Sequence, residues 1–167
     1  MFSRKKVISK YELVEPSEIS MANHNLDGKG WMQLKALRSF GNVKKGDLGG
    51  YVKNTFLSQS GLCWIEKGCK VNNCFVGDNA IIKGESIVEG STLKDNTIID
   101  RSNITLLDSC NKKIVTLCDN AKIVNCADII IMGKLELYDN ASIYNVANLQ
   151  IDSCSISGDS QIGINEE

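Results

Sequence analysis

Aliphatic residues recur along most of this chain every five or six positions. They read Ile65, Val71, Val76, Ile82, Val88, Leu93, Ile98 and Ile104. After a gap they resume as Leu117, Ile123, Ile129 and Leu135, then Leu137, Ile143, Leu149, Ile156 and Ile162. The residues on either side are largely polar. A short strand alternates faces, so each aliphatic residue marks one inward side chain. A turn residue and a small residue lead into many of them. Asp-Asn-Ala stands at 78–80, 119–121 and 139–141, followed by one variable residue and then Ile82, Ile123 or Ile143. Asp, Asn and Gly tolerate the dihedrals of tight corners. One such unit cannot bury its own apolar face, but stacked units can, each backbone pairing with the coil above and below. The pattern predicts an all-β chain whose residues 63–167 wind as a parallel β-helix of about five to six coils. Leu135 to Leu137 reads as a local slip, and Cys110-Asn111-Lys112-Lys113 as a loop.

An aliphatic residue followed four places later by a small one recurs as Ile65/Cys69, Val76/Ala80, Ile82/Ser86, Leu117/Ala121, Ile123/Ala127, Leu137/Ala141, Ile143/Ala147 and Ile156/Ser160. This resembles the hexapeptide repeat of left-handed parallel β-helices. That resemblance implies a triangular prism with three strands per coil. The five-residue steps leave a right-handed pentapeptide-repeat helix open as the alternative.

Residues 1–62 break the period and form a separate module. Lys10 to Val14 reads as a strand, and Pro16 to Gly30 as a polar loop. Trp31 to Phe40 fits a strand or a helix equally. Gly41, Gly46, Gly49 and Gly50 punctuate turns. The stretch Leu34-Lys35-Ala36-Leu37-Arg38-Ser39-Phe40-Gly41-Asn42-Val43-Lys44-Lys45-Gly46-Asp47-Leu48-Gly49-Gly50-Tyr51-Val52, followed by Leu57-Ser58-Gln59-Ser60-Gly61-Leu62-Cys63-Trp64-Ile65, resembles the opening block of phage and prophage β-helix proteins. The resemblance implies a phage or mobile-element origin and no particular reaction. Physically, such a block would cap the first coil, whose strand edges would otherwise be open.

Composition sharpens the picture in three places. Formal charge is −1 overall, yet residues 1–84 carry net +6 and residues 85–167 net −7. One end of the molecule should attract anions and the other repel them. A nearly neutral total makes nucleic acid an unexpected partner, and a DNA mimic would need a wholly acidic surface. Seven cysteines are an odd number, and no apolar run reaches transmembrane length. The basic start at Arg4-Lys5-Lys6 is followed by no apolar signal region. These features suggest a reducing, cytoplasmic setting in a bacterial host, with no membrane association. The single proline, Pro16, suits a repeat whose strands need their N–H groups.

Candidate chemistry is sparse. Hexapeptide-repeat helices are often acyltransferases, which by resemblance use a histidine near a coil edge as general base. This chain has one histidine, His24, in the polar segment outside the repeat. Cys63, Cys69 and Cys74 are spaced too widely for paired zinc ligands, and Cys69, Cys126 and Cys154 fall in or next to small inward slots. No metal and no cofactor are expected. Gly46-Asp47-Leu48-Gly49-Gly50 fits neither a Walker nor a Rossmann fingerprint. Trp31, Lys35, Arg38, Lys44, Lys45 and Tyr51 gather basic and aromatic residues around those glycines. Such residues could hold a ligand or target by charge and stacking. Outward slots of the late coils hold Val124, Ile130, Tyr138 and Tyr144, a candidate interface for a homo-oligomer, dimer or trimer.

These features point to a non-enzymatic, phage-type binding protein. It would interfere with a host process, such as a bacterial defence system, by stoichiometric binding of a host protein. The alternatives are sequestration of a small nucleotide signal, a hexapeptide-repeat acyltransferase, and a structural or assembly protein.

Overall fold

The computed structural model describes residues 9–26, 29–106 and 114–164. Two antiparallel pairings and then one parallel pairing open the described part of the chain. Strand β1 (Tyr11–Val14) pairs antiparallel with β2 (Met32–Ala36), and β2 pairs antiparallel with β3 (Leu48–Lys53). Strand β3 then pairs in parallel with Lys70–Asn72 of the next turn. The cap is therefore continuous with one sheet of the helix, and the first coil begins in β3.

From there the chain winds as a parallel β-solenoid with three faces. The strand pairings align one inward column per face. The first holds Ile65, Ile82, Ile99, Ile123, Ile143 and Ile162. The second holds Val52, Val71, Val88, Ile104, Ile129 and Leu149. The third holds Leu57, Val76, Leu93, Leu117, Leu137 and Ile156. Each column has six members, one per turn, and nearly all are buried. Burying each such side chain contributes about 1.5–3 kcal/mol.

The corners explain the Asp-Asn-Ala signal. Asp78, Asp95, Asp119 and Asp139 all sit at positive φ, between 51° and 59°. Each carboxylate accepts the backbone N–H one coil on: Asp95 N–H to Asp78 (3.2 Å), Asp119 to Asp95 (3.1 Å), Asp139 to Asp119 (3.1 Å) and Gly158 to Asp139 (2.9 Å). The neighbouring asparagines form a ladder of side-chain amides, Asn79 to Asn96 to Asn120 to Asn140, at 3.1–3.2 Å. Ala80, Ala121 and Ala141 fill the space inside.

Four details correct the sequence reading. Ile98 is not inward: Ile99 is fully buried, and Ile98 lies on the outer row between Ile81 and Lys122. Asp95-Asn96-Thr97 is a further corner in which Thr97 takes the alanine slot, so the inward residue falls two places later. Leu135 to Leu137 is no slip. Both side chains are buried on one long strand, Asp128–Leu137, which bends round a corner at an irregularity between Ile131 and Lys134. Cys126 is buried and Ala127 exposed, and Ala147 and Ser160 are exposed too, so Ile123/Ala127, Ile143/Ala147 and Ile156/Ser160 are not inward pairs. The polar segment after Pro16 contains a six-residue helix, α1 (Glu18–Asn23), whose N-cap Ser17 accepts the Ser20 N–H. The expected loop at Cys110–Lys113 lies outside the described residues. Among the described residues no helix is long and apolar enough to cross a membrane.

Candidate binding surface

The cap is fixed against the first coil by close backbone approach. A Cβ on Gly49 would lie 2.6 Å from the Trp64 ring and 2.7 Å from the Ile65 carbonyl oxygen. One on Gly50 would meet Ile65 Cγ2 at 2.6 Å and the Glu66 carbonyl at 2.7 Å. These glycines serve packing, which removes the reason to read Gly46–Gly50 as a phosphate cradle.

The structure separates the basic and aromatic residues that the sequence groups together. Trp31 precedes β2 and is half-buried, with Lys53 Nζ 6.0 Å from its ring centre. Arg38 lies beyond the other end of β2, its guanidinium 5.8 Å from the Phe40 ring centre. Lys35 is held by Glu12 across the β1–β2 pair at 3.3 Å. Lys44 and Lys45 are exposed in the β2–β3 connection. Their backbone N–H groups donate to Asp47 Oδ2 (2.8 Å) and Ser39 Oγ (3.1 Å). Tyr51 is buried, with the His24 ring packed on it at 4.8 Å. His24 itself is the C-cap of α1 rather than a loop residue. A tyrosine inside the cap offers no open stacking face, so these six side chains do not form one site.

A different surface emerges where the cap turn meets the first face of the helix. Phe40 stands edge-on to Trp64, 5.4 Å between ring centres. Around them run two adjoining depressions of about 320 and 580 Å³ that share Asn42, Val43, Trp64 and Glu66. Leu62, half-exposed, and Ile81 extend the apolar wall. Lys67 and Asp47 stand at the outer end. Phe40 and Trp64, both largely covered, lie at the base of the groove, the rim carries charge of both signs, and no nucleophile with an adjacent base lies in it. Such a groove suits an apolar side chain of a partner better than a reacting substrate. The sequence carried a signal for it: Trp64 sits beside inward Ile65, so alternation already put a large aromatic in an outward slot.

Other outward residues form smaller features. Phe56 and Phe75 stack face to face at 5.2 Å on the third face, both exposed, with Lys94 Nζ 5.8 Å from the Phe75 ring centre. Val124 and Tyr144 are direct cross-strand partners. Ile130 and Tyr138 are half-buried on the long Asp128–Leu137 strand and just after it. Three of the thiols, Cys69, Cys74 and Cys126, are buried in the coil interior. Burial pushes Cys69 and Cys74 up to about 12 and raises Cys126 as well. A thiol that holds its proton so firmly is neither a nucleophile nor a metal ligand at neutral pH. Among the described residues no three His, Cys, Asp or Glu side chains converge so as to hold a metal ion.

Set against models of known protein families and against curated proteins, the sequence matches none.

Proposed function

We propose that this chain is a non-catalytic binding protein of phage type that occupies one host protein in the bacterial cytoplasm and so blocks a host process, a defence system being the leading case. The observation that supports this reading is the Phe40–Trp64 groove. It is concave, walled by half-exposed Leu62 over two largely covered rings, and built on backbone locked into the helix, so it is organised before any partner arrives. The coil interior, by contrast, is filled by the three aliphatic columns and offers no substrate cavity among the described residues. The phage resemblance of the cap block supplies the biological setting.

The test is affinity capture from host lysate with the full chain and with a Leu62→Lys variant. Leu62 is half-exposed, so the variant should fold normally while placing a charge in the groove wall. One host protein retained at equal stoichiometry, and lost with the variant, is the expected result. No stoichiometric partner would count against the proposal.

A second reading rests on Trp31. Its ring lies under Lys53 and lines a depression of about 520 Å³ with Lys29 and Met32. That arrangement suits sequestration of a small nucleotide. Mass spectrometry of protein purified from the host, finding a bound nucleotide that Trp31→Ala loses, would favour it over the protein partner.

A further inference from the structure

The start of β1 buries a lysine. Lys10 is fully buried, and among the described residues no carboxylate pairs with it. Its Nζ donates instead to the Ser60 carbonyl (3.2 Å), the Cys63 carbonyl (3.0 Å) and the Cys63 sulfur (3.1 Å). The Phe40 ring closes the remaining side, 5.2 Å to its centre. The carbonyl contacts have a structural reason. In the next coil the Ala80 carbonyl, one turn above Cys63, accepts the Trp64 N–H at 3.1 Å. No coil lies beneath Cys63, and the lysine supplies the missing donor. The Cys63 thiol itself faces the Ser58, Ser60 and Val76 carbonyls at 3.6–3.8 Å, so the lysine meets the sulfur inside the same polar cluster. That contact sets an amine against a thiol, both sealed from solvent.

We propose that Lys10 and Cys63 are an oxidative modification site, at which a peroxide converts the contact into a covalent nitrogen–sulfur link. In the first step the Cys63 sulfur attacks hydrogen peroxide. An S–O bond forms, the O–O bond breaks, and water leaves, giving a sulfenic acid. In the second step the Lys10 nitrogen, once its ammonium has released one proton to water, attacks that sulfur. An N–S bond forms, the S–O bond breaks, and the departing hydroxide takes the nitrogen's proton as water. One peroxide is reduced to two waters while sulfur loses two electrons. Sulfenic acids commonly end by condensing with a second thiol or a nitrogen. Here burial keeps a bulky thiol from the sulfenic acid, and Lys10 is the amine in contact. The link would join residues that are 53 apart in sequence and tie β1 to the first coil. Such a constraint on the unfolded chain raises stability.

The experiment treats the purified full chain with hydrogen peroxide, then denatures, alkylates and digests it. The expected product is a cross-linked peptide pair containing uncleaved Lys10 and unalkylated Cys63, two hydrogens lighter than the separate peptides. A thiol reductant should reverse it, and the oxidised protein should melt at higher temperature. Lys10→Arg, which keeps a donor but is a far weaker nucleophile, should leave Cys63 to proceed to sulfinic acid. The proposal is overturned if wild-type Cys63 is still alkylated after treatment, or if it reaches sulfinic acid without a link to Lys10. The wild-type peptide map decides this even if the arginine variant does not fold.

Discussion

The side-chain amide of Asn96 donates to Asn120 Oδ1 at 3.2 Å, one coil on, while its own Oδ1 accepts from Asn79 at 3.1 Å. The same relation repeats at Asn120, which donates to Asn140. Each interior member of the ladder therefore makes two bonds that a single strand could not make alone. Asn120→Ala removes both. Because the ladder is exposed and water competes for its amides, the cost should be only about 1 kcal/mol by urea denaturation. An equal loss for an asparagine outside the ladder, such as Asn23→Ala, would show that the stacking adds nothing.

Thr97 occupies the slot filled elsewhere by Ala80, Ala121 and Ala141, and its buried hydroxyl has no hydrogen-bond partner. Thr97→Val keeps the shape and removes the unsatisfied group. It should stabilise the protein by about 1 kcal/mol. A clear loss of stability on chemical denaturation would mean that the hydroxyl is satisfied by water in solution.

Ile123 is fully buried and Lys122, one place away, is exposed. Ile123→Asp puts an unpaired carboxylate into the prism and should cost at least about 4 kcal/mol, enough to unfold much of the protein. Lys122→Asp should change the melting temperature little. Similar melting temperatures for the two variants would contradict the assignment of faces.

The buried thiols give the protein an alkaline limit. Burial raises Cys69 and Cys74 from 9.0 to about 12 in the folded state. The folded chain then holds these protons more tightly than the unfolded chain does. Their contribution to stability is complete below pH 9 and is lost as pH climbs towards 12. Each thiol removes up to about 1.4 kcal/mol per pH unit in that window. Denaturation midpoints measured across it should fall less steeply for a Cys69→Ala, Cys74→Ala variant than for wild type.

Val124 and Tyr144 are cross-strand neighbours on the outer surface. If the late coils carry the homo-oligomer interface, light scattering should give a dimer or trimer for wild type and a smaller species for Val124→Glu, Tyr144→Lys. A monomeric wild type would end that idea. An oligomer indifferent to both changes would move the interface, with the cap as the next place to look.

The spacing of aliphatic residues determined the helix by itself. A unit of five or six residues with one inward side chain has no partner within its own length, so only stacking can bury it. The Asp-Asn-Ala corners were legible for the same local reason, since αL dihedrals favour particular residue types. Register was legible at Cys69 and Ser86 as well as at Ala80, Ala121 and Ala141, and failed elsewhere. Thr97 hid one corner, and the slots were misread at Ile98, Ala127, Ala147 and Ser160. The cap was a tertiary decision. Whether Tyr51 faces solvent or His24, whether Trp64 is an outward aromatic or the floor of a groove, and where Lys10 ends its side chain depend on contacts between distant residues. The Lys10–Cys63 contact spans 53 positions. Only after the first coil closes does it leave carbonyls without donors, and a vacancy of that kind has no local pattern by which a sequence could announce it.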